Sequence, residues 1–318
     1  MITDIIDDVD GVFSIAEGVW GRKEVFVNFF MISDPTSASW VLVDAGLAWS
    51  APKIKFMAEE LFGADSTPSA IILTHGHFDH VGSLQDLLKI WNVPVYAHAM
   101  ELPYLTGRSH YPPADPSVGG GLMATFSFMY PDKPIDVSAN IKPLPSDNSV
   151  PGLPSWRYLF TPGHSPGHIS LYRDYDKLLI AGDAFVTTKA ESAFYALTFK
   201  EHLSGPPKYF TCDWDAAKLS LEKLAALEPE IVATGHGKPV KGKEMRAQLE
   251  DLAEHFEQLA KPARGRYVSS PAITNRYGVA TLPVSRRSPA FNVLAVTVAV
   301  SATVVLAMIV KNRLGKTV

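Results

Sequence analysis

The chain has 318 residues, 47% of them hydrophobic, and a formal net charge of −4, which suits a globular protein with a sizeable core rather than a disordered chain and gives no support for a nucleic-acid partner bound through its phosphates. Cys212 is the single cysteine, so intramolecular disulfides and cysteine-rich zinc sites are excluded. Residues 1–8 are acidic and lack the basic start and apolar centre of a secretory signal, which makes the cytosol the expected compartment.

In chain order, short β-rich runs at 11–15, 25–32 and 40–44, separated by Gly, Pro and Ser turn signals, predict an opening antiparallel sheet. Asp44 ends the third run, where it either caps a turn or orients a ligating histidine from behind. Ile54, Met57, Ala58 and Leu61 have helical spacing over 51–62, Ala70, Ile71, Ile72 and Leu73 follow as a strand, and a further strand is predicted at 93–97. This alternation points to an α/β arrangement.

The stretch after Leu73 concentrates the chemistry. His75, His77, Asp79 and His80 place four metal-ligand types within six residues, between a strand and the helical pattern of 83–90, so they occupy a strand-to-helix loop. Side chains alternate along extended backbone, which sends His75 and His77 to one side; Asp79 and His80 reach a second point where the chain turns. A lone HxH reads as solvated loop histidines, but the Asp-His that follows makes metal binding the better reading.

Residues 100–155 break the rhythm with Pro, Gly and aromatic residues, among them Tyr104, Tyr111, Phe126, Phe128 and Tyr130, and are expected to form a lid over a largely apolar substrate. His98 and His110 read as packed or surface histidines. Three later apolar runs each end in a small-residue turn bearing a ligand type: 157–163 delivers His164, 178–182 delivers Asp183 and 230–235 delivers His236. Strand ends are where open α/β sheets place their sites, and the adjoining glycines permit close backbone approach. His168 takes a structural role. Helical stripes at 215–227 and 244–259, with His202 and His255, are packing surfaces.

Residues 262–290, rich in Pro, Arg and Ser, read as an exit linker from a domain spanning 1–261. Residues 291–310 carry no charged side chain and are long enough as a helix to cross about 30 Å of hydrocarbon; a short basic tail, 311–318, follows. The expectation is a C-terminal transmembrane helix anchoring the domain to a membrane. Flanking basic residues nearly balance, so charge does not set the orientation; the missing export signal is what places the domain on the cytoplasmic side.

Taken together, HxHxDH, a later His, a later Asp and a final His resemble, in type and order over about residues 10 to 260, the metallo-β-lactamase-fold hydrolase superfamily. The resemblance implies an α/β fold, a four-layer αββα sandwich with a dinuclear site between its two sheets. It implies His75, His77 and His164 on one ion, Asp79, His80 and His236 on the other, and Asp183 bridging them. Residues 204–214 look like a glyoxalase-II-related branch. The donor set suits two zinc ions per chain, with iron or manganese also compatible, and ions about 3.5 to 4 Å apart would hold a bridging hydroxide as nucleophile. The expected activity is hydrolysis of an ester, thioester or lactone in a small molecule, with Asp79 both ligand and proton shuttle.

Departures narrow the choice. Iron flavoproteins of this fold carry Glu where His77 stands, and the complete second donor set argues against a mononuclear iron persulfide dioxygenase. Quorum-quenching lactonases resembling this site carry a Tyr three residues after the bridging Asp, where this chain has Val186, leaving Tyr195 or Tyr209 to polarise a carbonyl. A persulfide dioxygenase-like oxidoreductase and a membrane-attached binding module with a vestigial site are the alternatives.

Overall fold

In the computed structural model, which describes residues 11–36, 39–194 and 202–284, the three opening β-rich runs correspond to β1 (Val12–Ala16), β3 (Val27–Ser33) and β4 (Trp40–Val43), and a strand outside those runs, β2 (Val19–Glu24), lies between the first two; the four pair antiparallel in sequence order. The third strand starts two residues later than expected because Val25 sits in the hairpin turn at φ 58°. Helix α1 (Ala51–Phe62) returns the chain so that β5 (Ala70–Ile72) lies parallel to β4. Two helices, α2 (Phe78–Val81) and α3 (Leu84–Trp91), then precede β6 (Val95–Ala97). Two short ones, α4 (Leu102–Leu105) and α5 (Leu122–Thr125), precede β7 (Ile141–Pro143), and both strands extend the same sheet in parallel.

A second sheet has the order β13-β12-β11-β10-β9-β8. It comprises β8 (Ser149–Val150), β9 (Leu153–Phe160), β10 (Ile169–Arg173), β11 (Leu178–Ile180), β12 (Ile231–Ala233) and β13 (Val240–Lys241). Only β11 and β12 pair in parallel, and the connection between them contains α6 (Trp214–Ala225), whose first turn is capped by the Asp213 carboxylate accepting from the Ala216 N–H. The single helix expected at 244–259 is interrupted at His255, giving α7 (Lys243–Glu254) and α8 (Phe256–Leu259).

The period of two in the strands sorts the core into layers. In β3, Phe30 and Ile32 join Val41, Val43 and Ile72 of the first sheet against Leu153, Trp156, Leu171 and Ile180 of the second. The alternate residues Phe29 and Met31 face Ile54, Met57, Leu84 and Leu87 of α1 and α3. On the far side, Leu179 and Val232 pack on Leu221, Leu224, Leu249 and Phe256 of α6 to α8. Both sheets are therefore buried on both faces, and the order of layers is αββα.

Most of the stretch expected as an exit linker, residues 262–283, is folded onto this domain. Tyr267 and Ala272 are buried in the same cluster as α6 to α8, the Tyr267 hydroxyl donates to Pro113 O at 2.8 Å, and a hairpin of β14 (Ile273–Asn275) and β15 (Gly278–Thr281) follows. Single apolar anchors among Pro and Arg carry no periodic signal, which is why composition alone reads as a linker. No helix among the described residues is long and apolar enough to cross a membrane; the span expected at 291–310 lies outside the described residues.

Candidate metal centre

The strand ends bring all seven sequence-predicted donors together. Three overlapping groups form, His75 with His77 and His164, His75 with His80 and Asp183, and Asp79 with His80 and His236, and in each group the donor atoms lie within 4.8 Å of one another. All seven side chains are buried. His75 and His77 share a side of the loop as expected, with ring centroids 4.6 Å apart. Asp79 and His80 lie in the single turn of α2.

Four of the five donor rings are aimed from behind. The Asp44 carboxylate, at the end of β4 in a left-handed conformation (φ 61°), accepts from the Thr74 N–H at 2.8 Å, the Thr74 hydroxyl at 2.7 Å and His80 Nδ1–H at 2.8 Å. Because the Thr74 hydroxyl proton is directed to Asp44, the hydroxyl oxygen accepts from His75 Nδ1–H at 3.1 Å. Asp44 is thus the orienting carboxylate of the two roles open to it, and it sets the tautomers of His75 and His80 so that both Nε2 atoms face inward. His236 Nδ1–H donates to Phe26 O at 2.7 Å, and His164 Nδ1 lies 3.5 Å from the Thr211 hydroxyl. His168 supports Asp183: its Nε2 accepts the Asp183 N–H at 2.8 Å while Nδ1 bonds Thr161, the structural role expected of it.

Inside this ring of supports, donor atoms converge. His77 Nδ1 and His164 Nε2 are 2.9 Å apart. Asp183 Oδ2 lies 3.0 Å from His236 Nε2 and 3.4 Å from His164 Nε2, and Asp183 Oδ1 lies 3.6 Å from His80 Nε2. His75 Nε2, His80 Nε2 and Asp183 Oδ1 are buried without any hydrogen-bond partner. Leaving such atoms unpaired costs about 1–3 kcal/mol each, so a cation bound among them restores what burial removes. The nitrogen and carboxylate donors fit a borderline divalent ion. Gly235 is required here: a Cβ would strike Asp183 Oδ1 and approach His80 Cε1 to 2.8 Å.

Electrostatics divide the donors into two kinds. Burial, reinforced by the neighbouring imidazoles, holds His75 and His164 well below the usual histidine range and lowers His77 to about 3. Burial acts the same way on His80 and His236, but Asp183 with Asp44 and Asp79 outweighs it at His80, and Asp183 with Asp79 does so at His236; both are raised. The carboxyl of Asp183 is held far down because His236 and His80 overcome its burial, whereas burial leaves Asp79 raised.

The expected lid is a packed wall. Part of 100–155 is regular structure, including β7 and β8; Tyr111, Val118, Ala124 and Tyr130 pack beside the donors, while Leu122, Phe126, Phe128 and Met129 are exposed. Phe210 stacks on His77 at 4.5 Å, and Tyr111 approaches the same ring to 4.7 Å. Phe78, Tyr130, Tyr209 and Phe210 form an aromatic cluster closed by Val118 and Ala124. Burial first, then the charge of Asp79, raises the phenols of Tyr130 and Tyr209. His98 stacks on Phe160 at 4.1 Å, and the exposed His110 lies 3.6 Å from Asp132; neither joins the donors. The supports Thr74, Thr211 and Glu101 escaped the sequence reading.

The profile of the metallo-beta-lactamase superfamily matches residues 22–236, a span that runs from β2 through every one of the seven donors. The chain belongs to the metallo-beta-lactamase superfamily. Within it, the chain is similar to "Probable metallo-hydrolase YflN" of Bacillus subtilis (strain 168), 46% identical over 248 residues covering 78% of this chain and 94% of that protein. It is also similar to "Probable metallo-hydrolase YybB" of the same organism, 30% identical over 177 residues covering 56% of this chain and 68% of that protein. Two solved structures share the fold. A metallo-beta-lactamase family protein of Thermus thermophilus has a TM-score of 0.51 at 19% identity, covering 77% of this chain and 81% of that one. An archaeal superfamily protein of Sulfolobus tokodaii has a TM-score of 0.50 at 19% identity, covering 85% and 88%. As a metallo-beta-lactamase superfamily member related to metallo-hydrolases, the chain is a metal-dependent hydrolase whose His and Asp groups could hold the metal.

Proposed function

We propose that the chain is a dinuclear hydrolase of a small-molecule ester, thioester or lactone. The observation that carries this reading is the set of buried, partnerless donor atoms, His75 Nε2, His80 Nε2 and Asp183 Oδ1, set among four further donors. His75, His77 and His164 would hold one ion and Asp79, His80 and His236 the other. Asp183 faces both groups, through Oδ2 toward His164 and Oδ1 toward His80, and would bridge them. Zinc is the favoured ion for imidazole and carboxylate donors, and iron or manganese also suits them. Two such ions would supply an activated water at neutral pH and positive charge for the oxygen that gains electrons.

The chain's own groups account for the rest. Asp79 Oδ2 lies 3.6 Å from His236 Nε2; as a carboxylate it would take a proton from the nucleophile, and its burial, which raises the carboxyl, favours holding that proton until the leaving group receives it. Val186 offers no hydroxyl. Of the two tyrosines expected to replace it, Tyr195 lies outside the described residues, and Tyr209, kept as a phenol by burial, would donate to a substrate carbonyl. The aromatic cluster around it favours an apolar acyl portion and excludes water from that side.

Metal analysis and a hydrolase panel test this reading. The zinc-loaded protein should contain two ions per chain and cleave at least one ester, thioester or lactone, with Asp79→Ala nearly inactive. No stoichiometric metal and no hydrolysis after zinc loading would refute it. The uncharged run at 291–310 supports membrane attachment. Removing residues 288–318 should then move the protein to the soluble fraction with its metal content intact; an insoluble, metal-free product would contradict the anchor.

A further inference from the structure

Glu101 is fully buried and has no cationic partner among the described residues, yet four donors converge on it. Its Oε2 accepts from the Gly76 N–H at 3.0 Å and from the Tyr111 hydroxyl. Its Oε1 accepts from the Ser165 hydroxyl at 2.8 Å and the Gly167 N–H at 2.6 Å. An ionised carboxylate has about four lone-pair sites, and here each has a donor. The donors come from three separate stretches: Gly76 stands between His75 and His77, Ser165 follows His164, and Tyr111 belongs to the wall that covers His77. The close approach is built from both sides. A Cβ on Gly76 would strike the Tyr111 hydroxyl, and a Cβ on Gly167 would come within 2.7 Å of Glu101 Cγ and its backbone nitrogen.

None of these bonds reaches Asp79, His80 or His236; the rings of His80 and His236 are aimed by Asp44 and Phe26 O instead. We propose that Glu101 is a positioning residue, a clasp that fixes the loops of His75, His77 and His164 at the separation one ion requires, and that Tyr111 ties the aromatic wall to that clasp. The inference rests on the two-ion reading of the centre and adds to it a separate control for one of the two donor groups.

The test uses the full chain, stripped of metal and reloaded. A glutamine at 101 keeps the shape but presents one acceptor oxygen and one NH₂, so whichever way it turns, the Gly76 or the Gly167 N–H faces a donor. Chelator competition on Glu101→Gln should show the affinity of the ion held by His75, His77 and His164 falling ~10- to 100-fold, the range for groups that orient metal ligands. The other ion should stay within ~3-fold, and the cobalt(II) absorption of the first group alone should shift. Tyr111→Phe removes one donor and leaves both backbone N–H groups satisfied, so its effect should have the same selectivity and stay below ~10-fold. Equal weakening of both ions in step with a lower melting temperature, or no change in either, would overturn the clasp. A wild-type chain that takes a single ion would overturn the two-ion reading instead, and the clasp would then stand or fall on whether Glu101→Gln weakens that ion.

Discussion

The two donor groups of the centre are a few ångströms apart and share Asp183, yet their surroundings prepare them in opposite ways. His75, His77 and His164 are imidazoles kept neutral by burial and by one another, with lone pairs ready for an ion. His80 and His236 sit among Asp183, Asp79 and, for His80, Asp44, and hold their protons more tightly than a free histidine. A proton on His236 Nε2, 3.0 Å from Asp183 Oδ2, would compete with an ion for that nitrogen. One group is assembled by geometry and the other by charge compensation, so their loading should respond to different perturbations.

The largest effect is expected from removing what the groups share. Asp183→Ala should lose hydrolysis beyond the ~100-fold upper range for an orienting residue and lower the metal content to one ion per chain or fewer, measured by metal analysis beside steady-state rates. Wild-type function in this variant would favour a binding module over a catalyst. Asp44→Asn comes next. Asparagine tolerates the left-handed conformation at this position, but its single acceptor oxygen cannot serve the Thr74 N–H on one side and the Thr74 hydroxyl and His80 Nδ1–H on the other. The ion of the Asp79, His80 and His236 group should weaken ~10- to 100-fold and, because Thr74 carries the influence of Asp44 to His75, the other ion should weaken too but by less, a pattern distinct from that of Glu101→Gln and readable in the same competition assay.

Acidification separates the groups without mutation. His80 and His236 are raised, so an ion entering their group must displace protons at any pH below those raised values. Its affinity should fall roughly tenfold per pH unit for each proton displaced. The three lowered histidines are already deprotonated through the neutral range, so their ion should be insensitive until strongly acid pH. Equal slopes in chelator titrations across the range would erase the distinction. The smallest effect belongs to the wall. Phe210→Leu removes the stack on His77, an interaction of about 0.5–1.5 kcal/mol, and should alter KM for apolar acyl substrates by less than ~10-fold with kcat and metal content nearly kept.

How readable these features are in the sequence follows from how local their causes are. His75, His77, Asp79 and His80 sit in one short loop, and the strands that deliver His164, Asp183 and His236 each show an apolar run ending in a glycine turn, so residue type and position suffice to nominate them. The alternation that buries Phe29 and Met31 on one face and Phe30 and Ile32 on the other is likewise a local pattern. Glu101 leaves no such trace: it is one acid in an otherwise ordinary stretch, and its partners lie 10 to 66 residues away in sequence. Asp44 stands between two roles in the sequence because the deciding bond, to His80, spans 36 residues. Tyr267 and Ala272 anchor 262–283 as isolated apolar residues, and the aromatic wall at 111–130 resembles a loose lid until Phe210 and Tyr209 are placed beside it.

A two-ion centre with unequal halves is tested most directly by zinc titration of the metal-free chain at two pH values, with proton release followed calorimetrically in buffers of different ionisation enthalpy. Two ions per chain are expected: one with little pH dependence and little proton release, the other releasing protons and weakening as the pH falls. Saturation at a single ion, or two ions with indistinguishable pH dependence and proton release, would contradict it.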